Sequence, residues 1–186
     1  VSALLDLGRL LDGARDPSDV ATQALGGVLA RFYLSGLAPA ELARLRERYF
    51  PGTSGLPCRA DGCAVLPADE LEDLLGLLLE HRSDDSDETR WLAHAVAAAC
   101  AGANHLWQDM GLPDRDALSR LMRTHFTALY EKNTGNMKWK KFFYKQLCER
   151  AEVNLCKAPS CGVCSDYANC FGPEEGAGDN ASLRAP

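Results

Sequence analysis

Apolar residues recur at helical spacing along most of the chain, and no stretch alternates as a half-buried strand would. Behind Ser18, a residue type that caps helices, Val20, Ala21, Leu25, Val28, Leu29, Phe32 and Tyr33 form one stripe. They predict a helix over residues 18–34 in spite of the Gly26-Gly27 pair. Pro39 suits a first helical turn and leads AELARLRERYF, where Leu42, Leu45 and Tyr49 share a face until Pro51-Gly52 ends the helix. Residues 51–67, PGTSGLPCRADGCAVLP, are dense in Gly and Pro without either periodicity and read as a loop. Asp69, Glu70, Glu72 and Asp73 then place negative charge in the first turn of a helix running through LLGLLLEH, and SDDSDE at 83–88 is an acidic connector.

The alanine-rich stretch from Thr89 to Met110 has the highest helix propensity in the chain and predicts one central helix, bent at Gly102. Pro113 and Asp114 open DALSRLMRTHFTALYEKN, a single helix with Leu118, Leu121, Met122, Phe126 and Leu129 as its buried stripe. Residues 133–136, NTGN, break it. MKWKKFFYKQLCERA forms the last helix, with Trp139, Phe142, Phe143 and Leu147 facing inward. The expected fold class is all-α: a single helical domain over residues 1–150, a cysteine-rich metal-binding loop over 151–172 and a disordered tail over 173–186.

Composition narrows the class without changing that picture. A chain of 186 residues, 46% hydrophobic and 25% charged, can bury a core without disulfide staples. The first residues, VSALLDLGRLLDGARD, interrupt their leucines with Asp6, Arg9 and Asp12, unlike the apolar core of a secretory signal. WLAHAVAAACAGA falls short of the roughly 18–20 apolar residues a membrane span needs. A net charge of −6 opposes non-specific attraction to nucleic acid or anionic lipid, so neither is an expected partner. Eight cysteines with no mark of export point to the reducing cytoplasm, where clustered thiols hold metals more often than they form disulfides.

Four of those cysteines, Cys156, Cys161, Cys164 and Cys170, fall in CKAPSCGVCSDYANC, separated by four, two and five residues. Thiolates so spaced can converge on a compact inorganic group from an irregular loop. Structural zinc usually takes two tight Cys-x2-Cys pairs and only one is present, while ferredoxin-type runs carry a regular x2-x2 repeat that is absent here. An iron–sulfur cluster leads on this pattern, with zinc second and inert thiols third. Cys100 and Cys148 read as packing residues. Cys58 and Cys63, in PCRADGC, repeat the x4 spacing, too weak a signal to assign a role.

On a continuous helix His94 and His105, eleven residues apart, would return to within roughly 20° of one face, and Asp109 would follow His105 at i+4 to orient it. Such a stripe could present imidazole to a metal or an oxyanion, although two partly buried histidines satisfied by neighbouring helices are the plainer reading. His81 ends a helix and answers its dipole, and His125 reads as structural. Lys138, Lys140, Lys141 and Lys145, with Arg150 and Lys157 nearby, make a basic strip beside the cysteines. Most charge runs are solvated faces, yet this one could draw in an anion or an acidic partner.

NTGNMKWKKFFYKQLCER followed by LCKAPSCGVCSDYANCFGPEE resembles the C-terminal part of the NifQ family of nitrogen-fixation proteins. The family motif Cys-x4-Cys-x2-Cys-x5-Cys is met in full by Cys156, Cys161, Cys164 and Cys170. WLAHAVAAAC and NHLWQDMGLP are similar to its central region, so the resemblance spans residues 70–173. It implies an iron–sulfur protein that acquires molybdenum and passes it to the scaffold proteins on which the nitrogenase iron–molybdenum cofactor is completed, a metal donor rather than an enzyme. Consistent with that, the chain shows no dinucleotide fingerprint, phosphate loop or nucleophile–base arrangement. Soft sulfur ligands suit iron and reduced molybdenum, whereas molybdate arrives as a hard oxyanion. His94, His105 and the lysine strip are therefore the candidates for meeting molybdate first. The competing expectation is a zinc-stabilised helical interaction module with no metal transfer.

Overall fold

Side-chain caps and proline fix where most helices begin in the computed structural model, which describes residues 6–32, 34, 36–53, 65–152 and 161–174. Among these residues every regular element is helical and there is no strand. Helix α1, Leu7–Asp12, opens behind Asp6, whose carboxylate accepts the Arg9 N–H at 2.9 Å. In α2, Val20–Arg31, the cap is Asp19 rather than Ser18: Asp19 accepts the Thr22 N–H at 2.8 Å, while the Ser18 hydroxyl is spent on Asp16. Pro39 begins α3, Pro39–Tyr49, and a 3-10 turn at Pro51–Thr53 follows it. Cys58 and Cys63 lie outside the described residues. Helix α4, Ala68–Glu80, carries Asp69 and Glu70 in its first turn.

Helix α5, Asp87–Ala99, is the central element, packed against α2 and α4 and buried along Trp91, Leu92, Ala93 and Ala95 to Ala99. Asp87 and Glu88, expected in the connector, instead form its first turn behind the Ser86 cap. The Gly26-Gly27 pair lets α2 approach the chain that follows. A Cβ on Gly27 would overlap the Met110 carbonyl, and Gly111, at φ +69°, sits against the same spot.

Two expected helices are each broken in two. Instead of running to Met110, α5 stops at Ala99, and a short α6, Leu106–Asp109, follows after six residues of turn. The turn wraps the Asp109 carboxylate, which accepts the Asn104 backbone N–H at 3.1 Å and the Asn104 side-chain amide at 3.0 Å. Gly102 is what admits that carboxylate, because any Cβ there would collide with it. Local side-chain bonds of this kind compete with helix, and alanine propensity does not outweigh them. Likewise α7, Arg115–His125, and α8, Thr127–Lys132, are separated at Phe126, which is fully buried. Ser83 fills the break: its N–H donates to the His125 carbonyl at 2.8 Å and its hydroxyl accepts the Thr127 N–H at 3.0 Å.

Helix α9, Trp139–Arg150, packs on α4 and buries Trp139, Phe142 and Phe143. Trp139 meets Phe142 edge to face, with ring centroids 5.7 Å apart. Beyond it a 3-10 turn at Cys161–Val163 and α10, Tyr167–Phe171, return to the start of α9. No helix among the described residues is long and apolar enough to cross a membrane.

Candidate metal centre

Cys161 and Cys164 occupy one tight turn, in which the Cys164 N–H donates to the Cys161 carbonyl at 3.3 Å. The Tyr167 N–H continues from the Cys164 carbonyl at 3.2 Å into α10, which carries Cys170. The segment is pinned to the helical body from below: the Lys138 N–H at the start of α9 donates to the Cys170 carbonyl at 2.8 Å. Phe171 lies over Gly135, where a Cβ would come within 3.1 Å of its ring. All three thiols are free and half-buried, and Cys161 and Cys170 pack against the edge of the core. Cys156 lies outside the described residues. Among the described residues no three His, Cys, Asp or Glu side chains are already grouped as a metal cage. The donor set nevertheless fits an iron–sulfur group in kind: three unpaired soft thiols on one short segment, with a fourth completing the motif.

Beside this segment a cleft of about 450 Å³ opens between the α5–α6 turn, the first turn of α9 and α10. His105, Lys138, Lys140, Lys141, Asn169 and Glu174 are among its lining residues. The structure thus joins His105 to the lysine strip but separates it from His94. His94 is on α5 near Gly36, outside the cleft, because the helix that would have aligned the two histidines ends between them. Nor does Asp109 orient His105. It is buried beneath the turn and paired with Lys140, whose Nζ lies 2.6 Å from Asp109 Oδ2 and 2.7 Å from the Gly102 carbonyl. Lys140 is therefore a structural cation rather than part of a free basic face, and Lys145 is partnered by Glu149 at 3.6 Å.

The residue that sequence reasoning missed is Glu174, placed in the tail by its Gly- and Pro-rich surroundings. It is 8% exposed. Its Oε2 accepts the Trp107 indole N–H at 2.7 Å, its Oε1 pairs with the Arg115 guanidinium, and His105 Nδ1 stands 3.8 Å away. Arg115 also donates to the Asn136 and Met137 carbonyls at 3.0 and 2.9 Å, so one guanidinium holds both the α8–α9 turn and the end of the cysteine segment. A buried tryptophan needing an acceptor was the available signal.

The family profile described as NifQ matches residues 19–172, most of the chain. The chain belongs to the NifQ family. Protein NifQ of Azotobacter vinelandii is 42% identical to it over 151 residues, which cover 75% of this chain and 77% of that protein. Protein NifQ of Rhodobacter capsulatus is 39% identical over 150 residues, covering 81% of each. A NifQ homolog of Sinorhizobium fredii is 39% identical over 143 residues, covering 76% of this chain and 62% of its own. No solved structure matches. The NifQ match begins well ahead of the motif-bearing stretch of residues 70–173 and takes in α2 to α10.

Three further titratable groups of this NifQ-family chain, Cys100, His125 and His81, are held by burial or by structural hydrogen bonds. Burial pushes the Cys100 thiol up to about 12, which keeps it protonated and inert at neutral pH. His125 is 8% exposed, with Nδ1 2.8 Å from the Thr89 hydroxyl, and burial depresses its pKa despite Glu88 nearby. His81 caps α4, its Nδ1 2.9 Å from the Leu77 carbonyl.

Proposed function

We propose that this chain is an iron–sulfur molybdenum carrier that donates molybdenum to the biosynthesis of the nitrogenase iron–molybdenum cofactor. It works in the cytoplasm and hands its cargo to cofactor-assembly scaffold proteins, turning over no substrate of its own. The observation that carries the proposal is the placement of the motif. Cys161, Cys164 and Cys170 are unpaired thiols on a segment tied at Cys170 to the helical body, beside a lysine-lined cleft. Cys156, Cys161, Cys164 and Cys170 would hold the cluster, which when bound would supply sulfur ligands suited to molybdenum. The protein's part is positional. The Lys138 N–H fixes the Cys170 carbonyl, and Glu174, held by Arg115 and Trp107, stops the segment from lifting off at its far end.

A zinc-stabilised interaction module is the second reading. It is favoured by Val163 and Tyr167, which are 70% and 50% exposed on the cysteine segment and would suit a partner surface. Anaerobic purification separates the two. A carrier is brown, with charge-transfer absorption, and gives up molybdenum when mixed with the assembly scaffold. A colourless protein with stoichiometric zinc would establish the module instead.

A further inference from the structure

We infer that the cysteine segment and the lysines beside it form a docking face for an acidic protein surface with an apolar socket, carried by the cofactor-assembly scaffold that receives the cargo. Three large apolar side chains are exposed among the described residues, Val65, Val163 and Tyr167, and two of them stand on the cysteine segment. Their placement ties docking to the thiols. Val163 lies in the turn between Cys161 and Cys164, so a partner that covers it covers that pair as well. Tyr167 opens α10 and stacks on Phe171, with ring centroids 4.5 Å and planes 21° apart, and Phe171 in turn lies over Gly135 of the helical body. The exposed ring is thus held in place before a partner arrives, which lowers the entropy cost of using it as an anchor.

Charge selects the occupant. Lys140 is matched by buried Asp109, and Glu174 by Arg115. Lys138 and Lys141, which line one cleft with Asn169 of α10, form no ion pair with a described residue, and Asp166 is the one carboxylate within residues 161–172. This side of the molecule is therefore positive in a chain whose net charge is −6, and long-range attraction turns it towards an acidic partner. Two copies of the chain meeting here about a twofold axis would set each lysine against its counterpart, and that repulsion disfavours a homodimer. An anionic membrane fits no better, because the gain of about 1 kcal/mol for each lysine near its surface is opposed by the acidic remainder of the chain. A small face with two apolar anchors and a charged rim suits a hand-off, which needs a complex that forms fast and comes apart. The scaffold as recipient rests on the carrier reading, whereas the face rests on where these side chains stand.

Anaerobic biolayer interferometry of the metal-loaded full chain on immobilised scaffold protein tests the inference, alongside phosphatidylserine vesicles and sedimentation of the chain alone. The parent should dock on the scaffold and associate faster at low salt. Val163→Ser/Tyr167→Ser should dissociate roughly tenfold faster or more, with iron per chain unchanged because neither residue offers the cluster a ligand. Tyr167→Phe, which keeps the ring, should dissociate as the parent does, and so should Val65→Ser. Lys138→Glu/Lys141→Glu should associate about tenfold more slowly at low salt and lose the salt dependence. If the apolar variant also lost iron, the lysine variant would decide alone, by whether its association slows. No docking by the parent, undiminished docking by either double variant, or vesicle binding or self-association through these residues in place of the scaffold would each overturn the face. A parent that donated molybdenum but docked through another surface would end this inference alone, and a zinc-holding chain that docked through this one would end only the carrier reading.

Discussion

Lys140 and Asp109 illustrate how one pair can mislead a reader of the sequence. At i+4 behind His105, Asp109 suggested a histidine-orienting carboxylate, and Lys140 suggested one more solvated cation. The six-residue turn that ends α5 reverses both roles, turning Asp109 inward, where Asn104 and Lys140 reach it. The Asp109 side chain is 4% exposed, so Lys140→Met would leave a carboxylate buried without its cation. The expected loss is about 3 kcal/mol in urea unfolding, against less than about 0.5 kcal/mol for Lys141→Met on the exposed face. Equal effects of the two would show the pair to be exposed in solution. His125 offers a test in pH. Burial places its folded-state pKa below the ordinary 6.5, so between the two values the unfolded chain binds more protons. Stability should be fully present above about pH 6.5 and decline as pH falls towards the folded value. His125→Gln should flatten that slope; an unchanged slope would assign the acid sensitivity to other groups.

At the scale of elements, amphipathic stripes located α2, α3, α7 and α9, an acidic first turn located α4, and alanine propensity located α5. The breaks were hidden for two reasons: Ser83 inserts at Phe126 from 43 residues away, and the local bonds of Asn104 to Asp109, in the space that Gly102 leaves, outweigh the helix propensity of the alanines around them. Two glycines separate packing from propensity. Gly76 lies on the exposed side of α4, with nothing within 4 Å of where a methyl group would stand, so Gly76→Ala should stabilise by about 0.5–1 kcal/mol. Gly27→Ala makes the same propensity gain but must push its methyl into the Met110 carbonyl, and should cost about 1–3 kcal/mol. Thermal midpoints moving in opposite directions would bear this out. A stabilising Gly27→Ala would mean that α2 and the residues after α6 are not in close contact.

For the molecule as a whole, the helical class and the cysteine motif were legible because each is written locally, in periodicity and in spacing. The tether between them was not. Glu174 closes on Trp107 and Arg115, 67 and 59 residues away, and no local pattern encodes a contact of that range. The cleft was half legible: its lysines were visible as a run, but their meeting with His105 depends on the turn after α5. What the assembled molecule offers is a folded helical body on which the described cysteine segment presents thiols beside a lysine-lined cleft. Replacing those thiols should therefore cost metal and leave the fold intact. The most direct test is iron and molybdenum per chain, measured in anaerobically isolated parent protein and in Cys164→Ala, with far-UV circular dichroism as the fold control. Both metals in the parent, and both lost from a variant of unchanged helicity, is the predicted result. Full iron and molybdenum in the variant, or zinc in place of iron in the parent, would contradict it.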